Sequence, residues 1–195
     1  YREPYKTHGL ALASFFGMIA NIDENIGKLE DLLRRTGLRD NTILIFMTDN
    51  GATAGGKLFN AGMRGSKMSL YEGGHRVPCF VRWPAGGLRA PGDASALTRN
   101  QDILPTLIDL CRVKAPAGAR FDGDSLAPML RGAGQPALAE RMLVVQYGRQ
   151  PQPVFIPVAK WDGTVMWNRW RLVEARNCST WKRIQGRRKM WHPPI

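Results

Sequence analysis

Cysteine is scarce and scattered: Cys79, Cys111 and Cys178 are the chain's three. None belongs to a C-x-x-C pair, so neither a zinc site nor a disulfide framework is indicated. No apolar run approaches the ~18–20 residues needed to cross a bilayer. The longest, Leu10 to Ala20, is interrupted by Ser14 and Gly17. Glycine (21) and proline (13) together stay below the ~25–30% that marks low-complexity chains. These shortages exclude disorder, collagen and coiled coil as the main architecture. With 44% apolar and 23% charged residues, the 195-residue chain reads as one folded domain with at most a small appendage.

Acidic residues are also short, 16 against 28 Lys and Arg, for a net charge of +12. Such a balance can point to nucleic acid, an anionic surface or an acidic substrate. The excess is uneven: residues 174–195 hold six Lys/Arg and one acid. Trp181 and Trp191 stand among those cations, a modest hint of single-strand binding. The chain opens on Tyr1, and Arg2 to Ala20 has the charged-then-apolar look of a leader. The pattern runs on past it, however. Phe15, Ile19, Ile22, Ile26, Leu29 and Leu33 recur at steps of three and four, so they are expected to face inward from one helix over about residues 9–36, stopped by Gly37. The compartment is left unassigned.

Ile43 to Thr48 is nearly all apolar, which suits a strand buried on both faces. A second strand is expected over Val77 to Trp83. A helix should follow from Asn100 to Arg112, with Ile103, Leu104, Leu107, Ile108 and Cys111 facing in. Ser125 to Leu130 reads as a helical turn and Met142 to Tyr147 as a strand. Val154 to Ala159 and Thr164 to Val173 read as the arms of a hairpin. Helix, buried strand, loop, strand, helix is the order of an α/β sheet with crossovers. The Pro-rich piece Arg149 to Pro157 marks a boundary before a small C-terminal region.

Two segments carry chemically useful side chains. Asp49 and Asn50 stand just beyond the first strand, where ligands gather in open α/β sheets. Adjacent Asp and Asn can aim two oxygens at a hard cation such as Ca²⁺, and Gly51 lets the backbone turn away. The same three residues also make an ordinary strand-ending turn. Residues 64–78 pack cations, glycines and one acid directly before the second strand. Such a loop can set Lys67 against an oxyanion while glycines admit close backbone approach. Glu72 and Arg76, four apart, can pair to hold it. It can equally be a solvated basic loop, and His75 alone reads as a surface or packing histidine.

Taken together, N-T-I-L-I-F-M-T-D-N-G (41–51) and M-R-G-S-K-M-S-L-Y-E-G-G-H-R-V-P (63–78) resemble the second half of a type I sulfatase catalytic domain. The resemblance extends through F-V-R-W-P (80–84), Q-D-I-L-P-T-L-I-D-L (101–110) and F-D-G-D-S-L (121–126), and back to A-N-I-D-E-N-I-G (20–27). It implies an α/β fold: a partial alkaline-phosphatase-like sandwich, a mixed sheet flanked by helices, with a small C-terminal β region. The implied organisation is residues 1–148 in the catalytic domain, 149–173 opening a C-terminal subdomain, and 174–195 as a basic tail.

The resemblance further implies that Asp49 and Asn50 are ligands of a divalent cation, usually Ca²⁺, and that Lys67 contacts the sulfate group. Glu72 and Arg76 match loop-support positions. The family's nucleophile is a formylglycine made from a C/S-x-P/A-x-R motif, and no such motif occurs in these residues. The upstream Asp-Asp pair and the upstream His and Lys of the family are not found either. The chain is thus expected to be the C-terminal portion of an enzyme that hydrolyses sulfate esters, incomplete and inactive by itself. Its expected partner is a sulfate-ester substrate such as a sulfated carbohydrate, with no specific nucleic acid, no membrane span and no oligomeric state assigned. Full-length relatives are often periplasmic, secreted or lysosomal. The competing readings are a phosphodiesterase or phosphonate hydrolase of the same superfamily, a polyanion-binding module, and the product of a broken gene.

After Trp170-Arg171-Leu172-Val173 the family pattern, an E-L-Y-D-L…D-P type of sequence, is lost. With suitable synonymous codons, the neighbouring reading frame over this stretch spells G-S-K-E-L-F-D-L-E-A-D-P-G-Q-A-Q-D-V. Residues 174–195 are therefore expected to be out of frame and poorly packed.

Overall fold

A computed structural model of the chain describes residues 1–146, 162–174 and 177–180, the last group through its backbone alone. Helix α1 spans Leu10–Arg35. Gly9 (φ 82°) breaks the chain before it, and Gly37 (φ 70°) ends it. The closing bonds run from Gly37 N–H to the Arg34 carbonyl (3.1 Å) and from Leu38 N–H to the Leu33 carbonyl (2.9 Å). That is the left-handed glycine cap expected after a helix of this register.

The inward face of α1 differs from the expected stripe. Ala13, Gly17 and Leu33 are buried, whereas Ile19 and Ile22 are 48% and 50% exposed. Local packing explains the shift. A short 3-10 segment, Glu3–His8, folds back on the helix, setting Tyr5 5.5 Å from Phe16 between ring centres. Gly17 lies under the Tyr1–Arg2 backbone, and Phe15 covers Gly55. Burial in the first half of α1 thus follows the small residues Ala13 and Gly17. Glu30 ties the far half of α1 to Arg82 (3.0 Å) and Arg39 (3.2 Å).

Strand β1, Leu44–Met47, pairs antiparallel with β2, Cys79–Arg82, in the register Leu44↔Arg82 to Met47↔Cys79. Between them lies the one-turn helix α2, Glu72–His75. The expectation of a strand buried on both faces is corrected here: β1 is half-buried and Met47 is exposed. An apolar run reports that a strand has apolar neighbours, but its direction is set by pairing, and the loop between β1 and β2 returns the chain beside itself. Phe46 and Phe80 stack across the pair with centroids 6.4 Å apart.

Helix α3, Ile103–Leu110, is entered through a 3-10 turn at Asn100–Asp102. The buried positions of this turn and helix are Asp102, Thr106 and Leu110, while Leu104 and Cys111 are exposed. The expected apolar face is therefore rotated, because a satisfied polar network occupies the interior. Thr106 Oγ1 donates to the Asp102 carbonyl (2.5 Å) and accepts Leu126 N–H (2.8 Å). Asp102 accepts Arg99 N–H and Asp124 N–H, each at 2.9 Å, and pairs with Arg141 Nη1 at 2.6 Å. Short helices α4, Ala127–Leu130, and α5, Pro136–Ala139, follow.

The C-terminal sheet is a four-stranded antiparallel meander of β3 (Met142–Gln146), β4 (Gly163–Trp167), β5 (Trp170–Val173) and β6 (Asn177–Thr180). Leu143, Met166, Arg171, Thr164 and Val173 lie on its buried face. Residues 164–173, expected as one arm of a hairpin, form a hairpin of their own, turning at Asn168 (φ 49°) and Arg169. The other expected arm, 154–159, and the boundary near 149 lie outside the described residues. Within the tail expected to be poorly packed, the backbone of β6 pairs with β5 from Val173↔Asn177 to Trp170↔Thr180. The chain is a mixed α/β structure in which helices accompany small antiparallel sheets. No described helix is long and apolar enough to cross a membrane.

Candidate functional site

The end of β1 opens into the turn Thr48-Asp49-Asn50-Gly51. Asp49 is exposed and Asn50 half-buried. The Asn50 amide donates to the Asp49 carboxylate, so two oxygen-bearing side chains lie side by side. The turn is clamped by the basic loop. Gly51 N–H donates to the Gly74 carbonyl (3.0 Å), and Lys67 N–H donates to the Ala52 carbonyl (3.2 Å). Lys67 itself is exposed. It sits at the corner of a β-turn closed by Ser69 N–H to the Ser66 carbonyl (3.0 Å), with Met68 at φ 73°. The backbones carrying Asp49, Asn50 and Lys67 therefore belong to one hydrogen-bonded cluster.

The glycines make this contact physically available. A Cβ on Gly73 would come 2.1 Å from the Gly65 carbonyl oxygen, and one on Gly74 equally close to that of Ser69. The loop is drawn into a tight coil by Gly73 N–H to the Arg64 carbonyl (2.8 Å) and by Asn60 Nδ2 to the Gly65 carbonyl (2.7 Å). The Arg64 guanidinium lies 3.7 Å from the centre of the Tyr71 ring, a cation–π contact.

Glu72 Oε1 accepts from Arg171 Nε at 3.2 Å. Arg76 reaches Glu72 through the backbone, its N–H donating to the Glu72 carbonyl (2.7 Å). His75 Nε2 is 2.7 Å from Arg171 Nη1. Burial and then the Arg171 charge push the His75 pKa down to about 4. Reasoning from sequence did not single out Arg171 or give His75 a partner; the only signal was a charged residue in the apolar strand 170–173. Cys79 and Cys111 are free thiols.

Asp49 and Asn50 offer the carboxylate and amide oxygens that a hard cation takes. They fit part of a shell but not a whole one: among the described residues no group of three or more His, Cys, Asp or Glu is placed to hold a metal.

Comparison with known proteins follows the same segments. The family model "Sulfatase" matches residues 3–113, and the model "N-sulphoglucosamine sulphohydrolase, C-terminal" matches residues 65–182. A choline-sulfatase of Rhizobium meliloti is 35% identical over 139 residues, covering 69% of this chain and 25% of the relative. The chain thus spans about a quarter of the length of the curated relatives it matches. The crystal structure of Ps i-CgsB in complex with k-i-k-neocarrahexaose aligns with TM-score 0.64 at 25% identity, covering 82% of this chain and 33% of that one. BT4656, solved with its substrate D-glucosamine-2-N,6-O-disulfate, aligns with TM-score 0.60 at 28% identity, covering 79% and 29%. A phosphonate monoester hydrolase from Silicibacter pomeroyi shares the fold, with TM-score 0.60 at 19% identity over 86% of this chain and 32% of that one. On these matches the chain belongs to the sulfatase family and covers the C-terminal part of its domain.

Proposed function

We propose that the chain is the C-terminal portion of a hydrolase of sulfate esters, with sulfated carbohydrates as the substrate class. The observation that carries this reading is the pair of backbone bonds joining the Asp49–Asn50 turn to the Lys67 loop. Asp49 and Asn50 would contribute two oxygens to a Ca²⁺ site, and a formylglycine nucleophile would come from sequence outside these residues. When bound, those groups supply positive charge and an attacking oxygen. This chain's own part is to present and orient. Lys67, a compact cation at an exposed turn, places its donors toward sulfuryl oxygens and stabilises charge that grows in the transition state. Glu72 and Arg76 support the loop. The chain alone lacks the nucleophile and is inactive by itself.

The test uses the full-length protein and an aryl sulfate. Lys67→Ala lowers kcat by roughly 10²–10³-fold, the usual cost of one oxyanion-stabilising donor. Asp49→Ala removes calcium binding measured by calorimetry. Unchanged kinetics or unchanged calcium affinity would discard the corresponding role. Because a phosphonate monoester hydrolase shares the fold, an aryl phosphonate is run alongside; preferential turnover of the phosphonate would replace the sulfate-ester reading.

A further inference from the structure

We propose that Arg171 is a positioning residue for the Lys67 loop, the anchor through which the C-terminal sheet holds that loop against the turn at the end of β1. The proposal rests on the sulfate-ester reading above and names a residue that acts on the same site from a distant part of the chain.

Arg171 is 2% exposed, so it acts through its neighbours and not by touching substrate. Its guanidinium has four partners. Nη1 donates to the Leu70 carbonyl at 2.9 Å and faces His75 Nε2 at 2.7 Å. Nε donates to Glu72 Oε1 at 3.2 Å. Nη2 lies 3.1 Å from the sulfur of Met166, its neighbour across the β4–β5 ladder. Three of these four partners come from residues 70–75, the segment that also carries Gly74 onto Gly51. A single side chain thus links β5 to the strand-end turn through one short piece of loop.

The chemistry of the contact is directional. A guanidinium only donates, so His75 Nε2 must offer a lone pair and the ring proton must sit on Nδ1. The His75 ring is accordingly held neutral, in agreement with its lowered pKa. Burying a guanidinium in a sheet face is costly, and an apolar side chain of similar volume would fill the place without desolvating a charge. What an apolar side chain cannot do is fix a carbonyl, a carboxylate and an imidazole in one geometry. A loop carrying a catalytic cation needs that geometry, because small misplacements of such a group reduce rate steeply.

Arg171→Met is compared with the parent in two forms of the protein. In the 195-residue chain, amide hydrogen exchange across residues 65–76 should quicken at least tenfold, and the His75 ring should titrate nearer its ordinary value. In the full-length enzyme, kcat should fall by about 10–10²-fold with a much smaller change in KM. Arg171→Lys, which keeps charge and loses the fork, should fall between the two. If Arg171 merely fills the sheet core, Arg171→Met lowers the unfolding midpoint while loop exchange, His75 titration and kcat of the folded enzyme stay unchanged, which overturns the proposal. Should Arg171→Met not fold, Glu72→Gln removes the carboxylate partner in a near-isostere. It should quicken exchange over the same residues, and parental exchange would overturn the proposal equally. A full-length protein without sulfate-ester turnover would dismiss the functional reading, while exchange and titration would still decide the anchor.

Discussion

A Cβ built on Gly51 would stand 1.7 Å from the carbonyl oxygen of Gly73. No side chain fits there, because the obstacle is backbone and not a movable group. Gly51→Ala must push the 64–74 loop off the strand-end turn and break the Gly51 N–H to Gly74 carbonyl bond. We expect destabilisation of about 3 kcal/mol, the upper end of ordinary overpacking costs, read from urea unfolding of the chain. In the full-length enzyme the same change should abolish most turnover. An unaltered midpoint would show that the loop is not seated on Gly51.

The pair Arg141–Asp102 makes a separate demand on the fold. Asp102 is fully buried and Arg141 nearly so, and Arg141 also donates to the Leu97 carbonyl at 3.1 Å. Removing one partner strands a buried charge, which typically costs ~3–5 kcal/mol. Arg141→Met should therefore lower stability by that order, while the double replacement Asp102→Asn with Arg141→Met should recover part of the loss. A double variant as unstable as the sum of the two singles would show that the charges do not interact.

His75 sets a pH dependence with a definite sign. Its folded pKa is about 4 against an ordinary 6.5. Between those values the unfolded chain binds more protons at this ring than the folded chain does, so stability rises with pH across the window. The contribution is complete above the ordinary pKa and is lost as pH falls toward the folded one. The charged groups facing the ring are Arg171 and Glu72. Unfolding midpoints at pH 4.5 and 7 should differ less in His75→Gln than in the parent chain. An equal difference in both would place the titrating group elsewhere.

Much of this architecture could be read from local pattern, and the remainder shows where local pattern ends. The ends of α1 were legible because Gly9 and Gly37 require left-handed backbone and the apolar period runs between them. The sulfatase motifs were legible because residues 41–51 and 63–78 each preserve an ordered string. The direction of β1 was not, since an apolar run carries no information on whether its partner is parallel or antiparallel. The interior of α3 was not, because Asp102 and Thr106 are buried only by virtue of Arg141 and Leu126 N–H, supplied from far along the chain. Arg171 is illegible for the same reason: its three loop partners lie 96 to 101 residues away.

The last prediction concerns residues 174–195. The out-of-frame proposal demands particular third bases. Translation from the final base of the Val173 codon should give a sequence beginning G-S-K-E-L-F-D-L, which requires GTG for Val173 and restricts the codons that follow. Backbone pairing of β6 with β5 does not oppose this, because edge-strand pairing uses main-chain groups and tolerates many side chains. Reading the coding DNA decides it: codons incompatible with that frame end the proposal. The protein offers a second test. Five of the tail's six Lys/Arg lie beyond residue 180. Removing residues 181–195 should strip most retention on heparin at moderate salt. Retention that survives the deletion would locate the polyanion affinity in the folded part, and would favour a binding surface there over a charge carried by the tail.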